Sequence, residues 1–301
     1  MKRIEGTFWA SRRQLAALLV LVICVAVGGA TAAGASRKVA AQTALSKMGV
    51  ASSFYLSNAP RKLSTIGASW VYNWLPEAPA SDVGMQWVPM VPTAASVTPG
   101  VLNSLKAAKL SGRAEYLLGF NEPDMTSESD MSPEQAADLW PKLESTGLQL
   151  GSPAPARPKD GWLAQFMLLA RQRHLRVNFI TLHYYQDFTN PAAVAWLRGQ
   201  LIQIHRTYNK PIWITEIGAV DLSDRPMLRS PTPAVAAAYL RKLFAMLNAL
   251  PFVQRYAWFT DSASAPSWAV GALFNASGQL TQTGLAYQQI ADTLKRAKPN
   301  S

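Results

Sequence analysis

Eight short apolar or aromatic runs, most of them separated by helical patterns, constrain the fold more than any other feature of this chain. They fall near residues 48–51, 69–74, 85–90, 116–121, 149–153, 179–185, 211–216 and 255–260, and their length and β-rich composition read as buried strands. The intervening segments carry helix signals. Ser132-Pro133-Glu134-Gln135 is a capping box with Pro at the first helical position, and Asn190-Pro191 opens a helix with Val194, Leu197, Leu201 and Ile204 on one side. Further helices are expected from about Thr232 to Ala249 and from about Gly284 to Ala297. Regular alternation of strand and helix predicts parallel strands joined by crossovers. Eight units in about 250 residues fit a single-domain α/β (β/α)8 barrel, with its functional loops at the carboxyl ends of the strands. The second and third strands start only 16 residues apart, so an irregular second helical unit is expected there.

The barrel is expected to occupy 47–297, after a linker at 36–46. Residues 1–35 have a different character: Lys2, Arg3, Arg12 and Arg13 precede the apolar run Leu15–Val27, which small residues follow. That order reads as an export signal, cleaved or retained as an anchor, and Arg12-Arg13 hints at the twin-arginine route. At 13 residues the run is shorter than the roughly 20 needed to span a bilayer. Cys24, the single cysteine, lies inside it. The expected localisation is periplasmic or extracellular, with membrane contact only through this segment if it stays attached.

The formal charge is +11; without the first 35 residues, 25 basic and 17 acidic side chains leave +8. No dense basic tract accounts for that charge, so no nucleic-acid partner is expected. His174, His183 and His205 fall in separate elements without paired-ligand spacing, so neither a metal nor a cofactor is expected. A monomer is expected.

Two of the strand-like runs end on a glutamate. They are Leu117-Leu118-Gly119-Phe120-Asn121-Glu122-Pro123-Asp124 and Pro211-Ile212-Trp213-Ile214-Thr215-Glu216-Ile217-Gly218, their glutamates 94 positions apart. On the barrel they end strands four and seven at the functional end. Two carboxyl groups brought together in that way suit hydrolysis of a glycosidic bond, one giving a proton and one facing the anomeric carbon.

Gly-Phe-Asn-Glu-Pro-Asp at 119–124 and Trp-Ile-Thr-Glu-Ile-Gly at 213–218 resemble the signature strands of clan A glycoside hydrolases. The first is most similar to glycoside hydrolase family 128, a family of endo-β-1,3-glucanases. Ser69-Trp70-Val71-Tyr72-Asn73-Trp74 and Leu182-His183-Tyr184-Tyr185 extend the resemblance over about residues 47–295. It implies a retaining enzyme acting on a β-linked glucan, with Glu122 as general acid/base and Glu216 as nucleophile. It also implies that Asn121 bonds the sugar's 2-hydroxyl.

Beside the pair, His183, Tyr184 and Tyr185 end the sixth strand, with His183 and Tyr185 on one face by alternation. A phenol or imidazole there could hold the nucleophile in place. Trp74 and Trp258, at the ends of strands two and eight, are candidate platforms for a pyranose ring. Trp70, Trp87, Trp140, Trp162, Trp196, Trp213 and Trp268 are expected in the core or in loops. Asp124 is expected to cap a turn, Asp261 to sit in a solvated loop or reach a sugar hydroxyl, and the Pro-rich stretch 152–158 to form a stiff loop over the site. Two other readings stay open: a clan A enzyme for a β-1,4-glucan, mannan or xylan, and a non-catalytic carbohydrate-binding envelope protein on the same barrel.

Overall fold

The computed structural model describes residues 39–54, 58–77, 84–220, 227–263 and 266–297. The expected export segment, with Cys24, lies outside them. Among the described residues no helix is long and apolar enough to cross a membrane.

The strands are β1 (Met48–Ala51), β2 (Trp70–Tyr72), β3 (Gln86–Trp87), β4 (Tyr116–Leu117), β5 (Gln149–Leu150), β6 (Ile180–Tyr184), β7 (Ile212–Ile217) and β8 (Val253–Trp258). They follow the expected order and are all parallel, in a six-stranded sheet β3-β2-β1-β8-β7-β6 and a pair β4-β5. Single parallel bridges, Met90 to Leu118 and Gly151 to Phe179, join the pair to both edges of the larger sheet and close the barrel.

The helices are α1 (39–47), α2 (Ala59–Thr65), α3 (Pro99–Leu110), α4 (Pro133–Glu144), α5 (Trp162–Gln172), α6 (Ala193–Tyr208), α7 (Pro233–Asn248), the single turn α8 (Pro266–Ala269) and α9 (Gln282–Arg296). Several begin where the sequence signals place them. Ser132 and Gln135 exchange the two bonds of a capping box at α4, and Thr232 accepts from Val235 N at α7. Asn190 Oδ1 accepts from Ala192 N, so α6 starts just beyond the Asn-Pro step. Among the described residues no helix lies between β2 and β3, where the short spacing leads to the expectation of an irregular helical unit; residues 78–83 of that connection lie outside the described residues.

Two apolar compartments result. The larger lies between strands and helices and includes Trp140, Phe166, Phe244 and Trp258. The smaller fills the barrel with inward side chains, among them Trp70, Tyr72, Phe179 and Trp213. Below them the Arg255 guanidinium lies over the rings of Trp213, Tyr116 and Trp70, at 4.4, 4.8 and 5.5 Å. Burial lowers this guanidinium to about 10, and the aromatic faces supply part of what water would have given it. This plug leaves the opposite end of the barrel for chemistry.

Candidate active site

β7 does not alternate strictly. Its register against β6 passes from Leu182–Ile214 to His183–Glu216, so Thr215 is an extra residue. Ile214 and Ile217 face the helices, and this bulge turns Glu216 into the barrel, where strict alternation from Trp213 would have sent it outward. Beyond it Gly218 passes under β8, and a Cβ there would stand 2.0 Å from the Phe259 carbonyl oxygen. Only glycine allows that approach.

Glu216 is 5% exposed. Oε1 accepts from Trp74 Nε1 at 2.8 Å and Tyr72 Oη at 3.0 Å, and Oε2 accepts from Tyr185 Oη at 2.5 Å. Burial, and next the Glu216 charge, push both tyrosines well above the ordinary phenol value. They stay neutral and donate, fixing the carboxylate between them.

Glu122 follows the end of β4 in a left-handed conformation, φ 39°, with its N–H bonded to Ala154 O. Trp74 is likewise left-handed, φ 57°. Such backbone costs of order 1–3 kcal/mol per residue and gathers at functional sites. Glu122 Oε1 accepts from His183 Nδ1 at 2.7 Å. The other ring nitrogen, Nε2, stands 3.4 Å from Glu216 Oε1 without hydrogen-bond geometry. Burial opposes a charge on this fully buried ring, but Glu216, Glu122 and Asp124 outweigh it and hold His183 above the ordinary imidazole range. The ring thus bonds Glu122 through Nδ1 and faces Glu216 with Nε2, and the two carboxyl groups favour its protonated form.

One atom each from Glu122, His183 and Glu216 lie within 4.8 Å of one another. Distance alone would admit a cation, a grouping that histidine spacing in the sequence missed because the ligands come from three strands. The donors argue otherwise: both Glu216 oxygens already accept from hydroxyl or indole groups, and Glu122 Oε1 is already bonded to His183 Nδ1.

The two glutamates line a cleft of about 730 Å³, together with Trp74, Asn121, Glu128, Arg157, Tyr185, Phe259 and Trp268. Asn121 Nδ2 donates to Glu128 Oε2 at 3.2 Å, its backbone oxygen accepts from Ser129 Oγ at 2.5 Å, and its Oδ1 is buried without a partner. Glu128, which no sequence signal singled out, is raised by burial and then by the charges of Glu122 and Glu216. Asp124 accepts from the N–H groups of Ala156 and Arg157, each at 2.8 Å. It therefore ties the 152–158 loop over the cleft.

Of the expected binding residues, the structure brings Asn121, His183, Tyr185 and Trp74 to the glutamates, and it moves two away. Trp258 is fully buried, packs on Phe244 and Tyr239 and donates to Gly271 O. It is a core residue, because alternation along β8 turns Arg255, Ala257 and Phe259 inward and Trp258 outward. Tyr184 faces α6, where its hydroxyl bonds Gln186 and Gln200. Asp261 is neither solvated nor aimed at the cleft. It is buried with Oδ2 unpartnered, and burial raises its carboxyl. Trp268, expected in the core or a loop, lines the cleft beside Phe259, with ring centroids 4.9 Å apart. Tyr72, quoted in the sequence only within a motif, proves to be a direct partner of Glu216.

Residues 49–287 match a family model described as a glycosyl hydrolase catalytic core. Among solved structures, a subgroup I endo-β-1,3-glucanase of glycoside hydrolase family 128 from Amycolatopsis mediterranei, in complex with laminaritriose, is 37% identical. The match covers 81% of this chain and 99% of that one, with a TM-score of 0.72. A subgroup II endo-β-1,3-glucanase from Pseudomonas viridiflava is 28% identical, over 85% of this chain and 98% of that one, at TM-score 0.66. A subgroup III curdlan-specific exo-β-1,3-glucanase from Blastomyces gilchristii is 25% identical, over 81% and 98%, at TM-score 0.66. No curated protein sequence matches the chain.

Proposed function

The chain belongs to glycoside hydrolase family 128, and from that premise we propose that it is an exported endo-β-1,3-glucanase that retains anomeric configuration. The observation that carries this reading is the approach of Glu122 and Glu216 to within 4.8 Å. Retaining enzymes keep their carboxyls about 5 Å apart, whereas inverting ones leave room for a water between them.

In this reading the Glu216 carboxylate, oriented by Tyr72, Trp74 and Tyr185, attacks the anomeric carbon. Glu122, its Oε1 bound to His183, gives a proton from its other oxygen to the departing glycosidic oxygen. The leaving chain departs and a glycosyl ester on Glu216 remains. Glu122 then takes a proton from water, whose oxygen attacks the same carbon and frees Glu216. Asn121, lining the cleft beside Glu122, offers the sugar's 2-hydroxyl the amide hydrogen that Glu128 does not take. Trp74, Trp268 and Phe259 present ring faces or edges to the apolar sides of the glucan.

The 37% identical relative is named an endo enzyme and the exo enzyme is more distant, which supports internal cleavage. The basic, apolar and small-residue order of 1–35 supports export. The test is to incubate the chain lacking residues 1–35 with laminarin, β-1,4-glucan, mannan and xylan, following product anomer by NMR and product length by chromatography. Initial β-product of mixed length from laminarin alone is expected. Initial α-product would contradict retention, and binding of laminari-oligosaccharides without hydrolysis would favour a carbohydrate-binding protein instead.

A further inference from the structure

A (β/α)8 barrel puts every helix C-terminus and every helix-to-strand loop at the end opposite its cleft. At that end α3, α4, α5, α6 and α9 carry Lys109, Lys142, Arg171, Arg206, Lys295 and Arg296 in their last turns. The loops that follow add Arg113, Arg173, Arg176 and Lys210. Among the described residues, only Glu115, Asp138, Glu144 and Asp292 oppose these ten charges there.

Matching of charge to helix dipoles does not explain the bias. Such matching would also place acidic residues in first turns, and among the helices from α2 to α9 only α4 has one, Glu134. A neutral β-glucan gives no reason for it either. Some of the charge is used internally: Arg173 pairs with Asp138 at 2.6 Å, Lys295 lies 3.7 Å from Asp292, and Arg176 bonds the carbonyls of Leu148 and Glu144. Lys109, Arg113, Lys142, Arg171, Arg206 and Lys210 form no ion pair among the described residues. They follow one another around the barrel from α3 to β7, a continuous arc of positive charge.

Two further observations indicate what the arc faces. Leu110 lies on the same rim between Lys109 and Arg113 and is 89% exposed, an apolar side chain presented among cations. The chain also enters the barrel at this end. α1 runs straight into β1, Lys47 Nζ bonds the closing carbonyls of α7, Leu250 O among them at 3.0 Å, and Trp70 Nε1 donates to Lys47 O. In sequence, the apolar run Leu15–Val27 precedes α1 by residues 28–38.

We propose that the basic end of the barrel docks on anionic lipid headgroups, holding the cleft away from the membrane and toward its polymer. The inference does not depend on which sugar the cleft takes. Each Lys or Arg near an anionic bilayer strengthens partition about fivefold, and the attraction fades with salt.

The test uses the chain from residue 36 onward. The Amycolatopsis enzyme is covered over 99% of its length by the matched part of this chain, and the family-model match begins at residue 49, beyond the leading segment. It is sedimented with vesicles of mixed phosphatidylglycerol and phosphatidylcholine, and with vesicles of phosphatidylcholine alone. Binding to the first only, lost as salt rises, is expected. Changing Lys109→Glu, Arg113→Glu, Arg171→Glu and Arg206→Glu together should weaken partition at least about a hundredfold, with thermal melting and laminarin turnover unchanged. Leu110→Ser should leave the salt dependence intact and cost a few-fold in partition. Vesicle binding by the reversed variant equal to that of the parent would overturn the proposal. So would no binding, or salt-independent binding, by the parent, or capture by an acidic polysaccharide without any affinity for lipid.

Discussion

Glu122 and Glu216 have the same side chain and end strands of the same barrel, yet they are held in opposite ways. Three donors grip both oxygens of Glu216, which is 5% exposed. Glu122 has one side-chain partner among the described residues, His183, and lines the cleft from a left-handed backbone. A nucleophile must arrive at one carbon along one line, whereas a proton shuttle must serve a leaving oxygen and then a water. The tight grip suits the first task and the looser one the second.

The hardest test of that contrast is Glu216→Ala. Turnover of laminarin should fall by on the order of 10⁴-fold or more, with the melting transition kept. Measurable residual hydrolysis at the parent rate would remove the nucleophile assignment. Glu122→Gln should lose about 10²- to 10⁴-fold on the polymer and much less on an aryl glucoside whose leaving group needs no proton. Equal losses on both substrates would mean that Glu122 does not act as the acid.

Thinning the grip on Glu216 should cost less. Tyr185→Phe removes one short bond to a charged acceptor, about 1.5–3 kcal/mol, and so roughly 10- to 100-fold in kcat, with KM little changed. On the looser side, Glu128→Gln should cost only a few-fold, because an amide oxygen can still accept from Asn121. The charge it removes faces Glu122 and Glu216, with His183 nearby. Charge interactions are reciprocal, so the alkaline limb of the activity profile should move to lower pH. An unmoved profile would restrict Glu128 to supporting Asn121.

The strands and both glutamates were legible because each strand is a short apolar run closed by turn chemistry, and barrel topology puts every run's end on one rim. The fine aim of those ends was not. Read by strict alternation, Glu216 shares a face with Ile214, and only the bulge at Thr215 overrides that; a bulge depends on the neighbouring strand, which one segment cannot reveal. Trp258 is the reverse case. Alternation along β8 already separates it from Phe259, so strand period outweighs the suitability of tryptophan as a sugar platform. Glu128 was hidden because its loop is set by backbone geometry, the left-handed turn at Glu122 and the bond from Ser129 to Asn121 O. Neither leaves a local sequence signature.

The smallest effect sharpens the contrast through His183, the ring between the two carboxylates. Its folded-state proton affinity is raised. Burial works against the charge, and Glu216 first, then Glu122, more than compensate. A histidine raised on folding adds stability in full below its unfolded value, ordinarily about 6.5, and loses it as pH rises through the folded value. Urea unfolding should therefore show stability declining from about pH 6.5 upward, relative to a His183→Asn reference. Replacing Glu216 by Gln and replacing Glu122 by Gln should each shrink that decline, because both glutamates raise the ring. A decline untouched by either replacement would remove the glutamates as the ring's counter-charges. No decline at all would mean that the imidazole between the glutamates is neutral.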